Sequence, residues 1–409
     1  MKKSLLLLWA ISPLFSKQIS VDKYLSPYTG ADLFISSIET QMEVEDSLKE
    51  WASPEEETWL SQGVGGCYRL LSSCAWWAPM GILSGLGQHE IFGHGYRVRE
   101  FRKYGYNLIG FDLKLEDKSS SIAAITAYTR NGDEIPFLDN LIASGGTEAS
   151  TVMTQRLREL YFEKGHMDGR LHSLYFFGAS DLVHYIQNYN KIEDKETATA
   201  EGNDIGNYLY TVNKLNPQNP VTISQLDKMS IVYLLDPYLW GSFVSFWSYV
   251  LLGKEYPTPV FQWSAVRFAP ACSMNLTPFG PELIVEQYIS FKTTPFKTYF
   301  RYTPYNKRGI YGAGYKNLFL KSYENFHLGC MFDAWYAPKL GNIANPDLEF
   351  DQKSPMRPGA QILVTLRGDF PVFNTFSFGC DVGVKTQGYL MGSFVEKGFV
   401  GRAVLELDF

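Results

Sequence analysis

The chain has 409 residues with 43 acidic and 37 basic side chains, a net charge of −6 that gives no basic footprint for nucleic acid, so a nucleic-acid partner is not expected. Five cysteines are too few for a disulfide framework in a chain of this length, which is long enough for two or more domains. Met1-Lys2-Lys3 followed by an apolar run to Phe15 reads as an export signal over residues 1–16, which implies a place in the cell envelope.

Residues 17–52 are mixed and acidic (Glu39, Glu43, Glu45, Asp46, Glu50) with no clear period, and are expected to form an exposed lead segment. Ser53-Pro54-Glu55-Glu56-Glu57 has the composition of a helix start: a serine cap, proline in the first turn and carboxylates at the positive end of the dipole. It opens a mainly helical, metal-site domain expected over 53–255, with helices over 64–82 and 86–103.

The second of these helices carries Gln88-His89-Glu90-Ile91-Phe92-Gly93-His94-Gly95, which places two of the six histidines of the chain around a glutamate. Zinc accepts neutral imidazole nitrogens, and a hydrolytic zinc needs a carboxylate to take a proton from its bound water. His89 and His94 are therefore the candidate metal ligands and Glu90 the candidate catalytic base. Five-residue spacing leaves the two rings ~140° out of register on a regular α-helix, so the turn must bulge; a π-turn would bring both onto one face, and Gly93 is placed to permit it. The segment resembles the HExxGHG motif of the modulator-of-gyrase (Tld-type) metalloproteases, in which the two histidines bind zinc and the glutamate is catalytic. The resemblance covers seven residues and implies those same roles for His89, His94 and Glu90.

A third ligand is needed. Glu148, in Ser144-Gly145-Gly146-Thr147-Glu148, is the first candidate, with a glycine pair delivering the carboxylate to a helix's first turn; His172, His184 and Asp181 are the alternatives. Arg97, Arg99, Arg102 and Lys103 form a cationic strip, expected as a solvated helix face or a contact for an acidic substrate or lipid headgroup.

Short strands are expected at Leu108–Lys114 and Ile122–Tyr128, then helices over 136–143, 147–164, 170–190 and 203–213. Met229 to Leu252 is strongly apolar but interrupted at Asp236-Pro237, and is expected as two buried helices. From Pro259 to Phe409 the chain alternates apolar and polar residues in eight or nine segments, as in Ile362, Val364 and Leu366 against Gln361, Thr365 and Arg367. With its aromatic strand ends and terminal phenylalanine, this region resembles the outer-membrane β-barrels of Gram-negative bacteria. Cys330 and Cys380 share similar strand contexts that would allow a pair, although free apolar cysteines are the simpler expectation.

The fold class expected is therefore α+β, an N-terminal mainly helical domain followed over 259–409 by an antiparallel β-barrel of about eight strands. The function expected is an exported zinc-dependent hydrolase of peptidase type, anchored in the outer membrane with membrane lipid as a partner and a peptide or other envelope component as substrate. Two alternatives stand beside it: a non-enzymatic outer-membrane channel or structural protein whose histidines only pack, and an inner-membrane metalloprotease using the apolar helices. A soluble β-structure would place the protein in the periplasm instead.

Overall fold

The computed structural model describes residues 18–52, 59–113, 124–200, 202–291, 294–307, 309–323, 326–338, 355–369 and 376–407. The predicted export signal, the Ser53-Pro54 helix start and the terminal Phe409 lie outside the described residues. The helical elements are α1 (Pro27–Ala52), α2 (Trp59–Ser72), α3 (Ala78–His89), α4 (Gly95–Glu100), α5 (Pro136–Lys164), α6 (His172–Lys191), α7 (Lys195–Ala200), α8 (Asp204–Leu215), α9 (Ile223–Ser230) and α10 (Pro237–Leu252). The strands are β1 (Gln18–Asp22), a hairpin of β2 (Tyr106–Leu113) and β3 (Ala124–Arg130), a two-residue bridge of β4 (His166–Met167) with β5 (Tyr256–Pro257), then β6 (Phe261–Trp263), β7 (Val266–Thr277), β8 (Gly280–Phe291) and β9 (Thr294–Tyr302). The chain ends in β10 (Tyr311–Tyr323), β11 (Phe326–Pro338), β12 (Met356–Asp369), β13 (Phe376–Lys385) and β14 (Gly398–Leu407).

Local chemistry fixes the helix ends. Pro136 occupies the first turn of α5, whose missing N–H costs nothing there, and Gly165 closes it in the left-handed region at φ 78°. Asn203 caps α8 by accepting from Gly206 N, and Thr222 with Gln225 forms a capping box on α9. Asp236 caps α10 ahead of Pro237, so the break falls at the predicted point, but the apolar stretch before it is a short 3-10 turn, Ile231–Leu235, with Ile231, Leu234 and Leu235 exposed. The face of α10 carrying Trp240, Phe243, Trp247 and Leu251 is exposed, which departs from the expectation that both helices are buried. Among the described residues no helix is long and apolar enough to cross a membrane.

Ten strands form one antiparallel sheet in the order β1-β14-β13-β12-β11-β10-β9-β8-β7-β6. Nine of them are the predicted C-terminal meander; the tenth, β1, comes from the N-terminus and pairs with β14, Val21 opposite Ala403. Hence the predicted lead segment is not an exposed arm: β1 extends the sheet, and α1 buries Phe34, Ile35, Ile38 and Met42. Its acidic residues obscure the pattern because several are partnered, Glu39 by Lys164 and Glu45 by Arg170. The sheet has two ends, β1 and β6, which do not pair with each other. Cys330 and Cys380 lie on strands separated by β12, too far apart to bridge, and all five cysteines are free.

On several strands of the sheet polar side chains are buried and apolar ones face outward. Along β12, Gln361, Leu363 and Thr365 are buried while Ile362 (50% exposed) and Val364 (38%) face outward. Phe300, Phe332, Phe378 and Val384 are also exposed, whereas Glu286, Lys297, Arg301, Asp333, Asp381 and Lys385 are buried. Some of the buried charges are matched on α5: Arg158 meets Glu286 at 2.6 Å and also Asp236 at 2.7 Å, and Glu159 meets Lys297 at 2.9 Å and Lys316 at 2.6 Å. Beyond its short pairing with β6, the outer edge of β7 is free, so Pro270 removes no ladder bond. Side chains from the helices cover that edge, with Arg158, Tyr233 and Tyr208 donating to the carbonyls of Cys272, Met274 and Thr277.

Arg158 is fully buried between two carboxylates. Replacing it with methionine strands Asp236 without a cation and leaves Glu286 with only Lys297, 3.3 Å away, and should cost about 3–5 kcal/mol, read as a lower midpoint in chemical denaturation. Adding Asp236→Asn and Glu286→Gln to that variant should recover much of the loss; no recovery would show that the packing of the arginine, not its charge, matters.

Candidate metal centre

α2, α3 and α4 form one helical run from Trp59 to Glu100, interrupted by π-turns at Ser73–Trp77 and Glu90–His94. The second π-turn falls on the motif and turns His94 onto the face of His89, as the five-residue spacing requires. The two Nε2 atoms come to 3.1 Å from each other. The third member is Asp204, the first residue of α8, whose Oδ2 lies 3.1 Å from His89 Nε2 and 3.2 Å from His94 Nε2.

α5 builds the other wall through one stripe at helical spacing, Ile142, Gly146, Ala149 and Ser150. The Ile142 carbonyl accepts from His94 Nδ1 at 2.6 Å, and the Ala149 carbonyl accepts from Gln88 Nε2 at 2.9 Å, which anchors the start of the motif. A Cβ at Gly146 would overlap the imidazole of His89 at its Nε2 edge, so only glycine leaves room for a ligand nitrogen there. A Cβ at Gly93 would meet the Gly145 carbonyl at 2.6 Å. Gly93 thus serves close helix approach as well as the π-turn. The glycine pair predicted to deliver Glu148 from a flexible segment sits instead in the middle of the 29-residue α5.

Both imidazoles are oriented. His89 Nδ1 is 2.8 Å from Asp181 Oδ2, which also accepts from Ser150 Oγ at 2.7 Å. With each Nδ1–H directed at a carboxylate or carbonyl, each neutral ring presents its Nε2 lone pair to the centre. Two lone pairs and a carboxylate oxygen at 3.1–3.2 Å are three acceptors in contact, an arrangement that needs a shared proton or a cation. Atoms bonded at ~2.0–2.1 Å to a tetrahedral zinc lie ~3.3 Å apart, so the triangle already has nearly the right size. His89, His94 and Asp204 form a triad within metal-binding distance.

Electrostatics point the same way. Burial alone would lower the pKa of His89, but the charge and hydrogen bond of Asp181, with Asp204 and Glu90, outweigh it and hold the pKa well above the usual value. His94 is likewise raised against burial, by Asp204 above all. Burial opposes ionisation of Asp204, yet His94 and His89 hold its carboxyl far below the usual range. The centre is built to gather positive charge. Glu90, 4% exposed, accepts from Thr126 Oγ1 of β3 at 2.6 Å, and Tyr185 stacks on His89 with ring centroids 5.0 Å apart. Burial and then Asp204 push the Tyr185 phenol well above its ordinary pKa, so it stays protonated.

The chain matches no protein-family model, no curated protein and no solved structure. The likeness to Tld-type proteases therefore rests on the motif alone, and the geometry carries the functional argument.

Of the predicted site residues, the structure brings together His89, Glu90 and His94. Glu148 is not at the centre. It is fully buried against Arg97, which donates to it at 2.6–3.1 Å, and it accepts from Gly392 N, which leaves its oxygens committed. The predicted cationic strip is broken up by the same contact, since Arg97 is buried among Glu148, Glu100 and the Ser393 carbonyl while Arg99 donates to the carbonyls of Tyr24 and Ile91. Asp181 reaches the site as the partner of His89 Nδ1, one bond removed from a ligand. His184 is exposed and bonded to Asn188, and His172 pairs with Ser242 where burial pushes its pKa down to about 4. Asp204 was missed because an aspartate after an asparagine cap looks like any helix start.

These placements separate two carboxylates. Asp204→Asn should weaken zinc binding by at least about tenfold, the lower end for losing a metal-site contact. Glu148→Gln should destabilise the fold but leave the zinc content of the folded protein unchanged. Zinc titration of both variants decides, and the opposite pattern would restore Glu148 as the ligand.

Proposed function

We propose that the protein is an exported zinc-dependent hydrolase of peptidase type, held in the outer membrane by its C-terminal sheet. The observation that carries the first half is the convergence of His89 Nε2, His94 Nε2 and Asp204 Oδ2 at 3.1–3.2 Å with both Nδ1 atoms committed elsewhere. A two-nitrogen, one-oxygen donor set suits zinc and leaves a fourth position for water. When bound, zinc lowers the pKa of that water and polarises a scissile carbonyl. Glu90, next in sequence to a ligand and fixed by Thr126, takes the water proton and returns it to the leaving group. Asp181 and the Ile142 carbonyl keep the ligand rings in one tautomer, and the Tyr185 ring stacks on His89.

The membrane assignment is supported by the outward apolar and inward charged residues of the sheet, the pattern of a transmembrane barrel. β7, β8 and β10 to β12 have 12 to 14 residues each, longer than the ~9–11 that cross a bilayer when tilted. The channel alternative is weaker because α5 and its ion pairs occupy the inner face of the sheet. The inner-membrane alternative finds no support among the described helices.

Purified protein should contain about one zinc, the stoichiometry of a single three-ligand centre. His89→Ala and His94→Ala should lose it. Glu90→Gln should retain it while turnover drops by about 100-fold or more, the usual scale for losing a general base. Metal analysis showing no zinc in the native protein after reconstitution would end the hydrolase reading.

Location is tested separately. Ile362→Arg places a charge on the outward face of β12 and should cost about 2–4 kcal/mol in a bilayer, blocking outer-membrane assembly. Ile109→Arg, at a site 68% exposed on the β2–β3 hairpin, should be tolerated. Recovery of both as soluble protein would favour a periplasmic enzyme, and equal outer-membrane recovery of both would show that the outward face of β12 does not meet lipid.

A further inference from the structure

The helical part of the chain carries two long stretches almost without charge. From Met229 to Gly253 the only charged side chain is Asp236, which is buried against Arg158, and from Trp59 to Gln88 the only one is Arg69. Their apolar side chains are nevertheless exposed, among them Leu234 and Leu235 (71%) on the 3-10 turn, Phe243 and Trp247 on α10, Leu71 on α2 and Ile82 on α3. Arg69 ties the two stretches together by donating to the carbonyls of Val250 at 3.1 Å and Leu251 at 3.3 Å, at the C-terminal end of α10. An uncharged apolar face of this extent marks an interaction surface.

Two observations indicate what covers it. The face continues the outward face of the sheet: Phe300 of β9, Val285 of β8 and Cys272 of β7 are cross-strand neighbours in one row, and Cys272 Sγ donates to the Val232 carbonyl at 3.2 Å. That row therefore abuts the turn carrying Leu234 and Leu235. The exposed aromatic residues also turn their polar atoms back to the protein. Trp240 Nε1 donates to the Leu234 carbonyl at 2.9 Å, Trp76 Nε1 to Gln41 Oε1 at 3.0 Å and the Tyr68 hydroxyl to Glu45 Oε1 at 3.2 Å. In water such atoms need no protein partner, whereas in hydrocarbon they do. A bare strand edge is equally unfavourable in lipid, and the β7 carbonyls of Cys272, Met274 and Thr277 are occupied by Arg158, Tyr233 and Tyr208.

We propose that the exposed face of the 3-10 turn, α10 and α2 lies in the hydrocarbon of the same bilayer as the outward face of the sheet, so that helices continue the lipid-facing wall beyond the edge of β7. With 16 residues α10 is ~24 Å long, short of the ~30 Å of hydrocarbon, so it acts as a stave of that wall and not as a span of its own. The inference rests on the membrane half of the proposed function and not on the metal centre.

Electron paramagnetic resonance of the full chain in phosphatidylcholine bilayers tests it, with one spin-labelled cysteine at a time in a background whose five cysteines are replaced by serine. Labels at Phe243→Cys and Trp247→Cys should collide with oxygen in preference to a water-soluble nickel chelate, as should a label at Ile362→Cys on β12. Lys254→Cys, exposed just past α10, should show the reverse. Lipid exposure at Ile362 with nickel access at Phe243 and Trp247 would overturn this inference and leave the sheet in the membrane. Nickel access at all four positions would overturn both. Labels at Phe243 and Trp247 shielded from both reagents would assign the face to a protein partner and overturn the inference as well. Should circular dichroism show that the serine background does not fold, the natural chain gives the same reading. Phosphatidylcholine brominated on its acyl chains should quench the tryptophan fluorescence, and Trp240→Phe with Trp247→Phe should remove part of that quenching. Unchanged quenching would overturn this inference alone, and no quenching at all would overturn the membrane reading with it.

Discussion

The structure depends on how closely α5 approaches the π-turn of the metal motif. Gly93, Gly145 and Gly146 remove every Cβ from that contact, so backbone meets backbone, and His89 fits over Gly146. Without that approach the Ile142 carbonyl could not take His94 Nδ1, and the Ala149 carbonyl could not hold Gln88. The π-turn supplies the rotation and the glycines supply the distance. Neither is sufficient alone, because a ring turned to the right face but held a Cβ further from α5 would lose the hydrogen bond that fixes its tautomer.

The same helix also serves the sheet. Positions 142, 146, 149 and 150 face the metal motif, while 148, 152, 155 and 159 recur at helical spacing on a second stripe. Glu148 takes Gly392 N, Val152 packs with Ile284 and Met391, and Glu159 pairs with Lys297 and Lys316. The inward charges of the sheet are unfavourable to bury without partners; α5 supplies those of Glu286, Lys297 and Lys316, while Arg301 with Glu282 and Asp381 with Arg367 and Arg402 pair within the sheet.

Both stripes explain what could be read in advance. The strands were legible because a period of two survives whichever face is polar, and Ile362 and Val364 alternate with Gln361 and Thr365 in sequence as they do in space. His89, Glu90 and His94 were legible because their five-residue spacing makes no sense on a regular helix. α5 was read as two helices because it is buried on nearly all sides and has no single apolar face to detect. Glu148 was misread for a related reason: a glycine pair beside a carboxylate looks like a loop delivering a ligand, and only the tertiary contact with Arg97 shows it to be a packed helix turn. Asp204 was invisible because the property that matters, 3.1 Å from a histidine 115 residues earlier, leaves no local trace.

Arg97 joins the two halves of the molecule. It lies on α4, directly after the metal motif, and its guanidinium holds Glu148 of α5, Glu100 and the Ser393 carbonyl of the β13–β14 connection. Glu148 in turn accepts from Gly392 N, and Glu100 accepts from Val395 N of the same connection. A loop of the sheet is thus bonded to the helix that carries His94 and to the helix that orients it. Because all of these groups are buried, releasing any one leaves a charge or an amide without a partner, and the penalty falls on the stability of the fold as a whole. The sheet is therefore part of the site's supporting structure: the connection that closes β13 onto β14 also fixes the helix from which the histidines project.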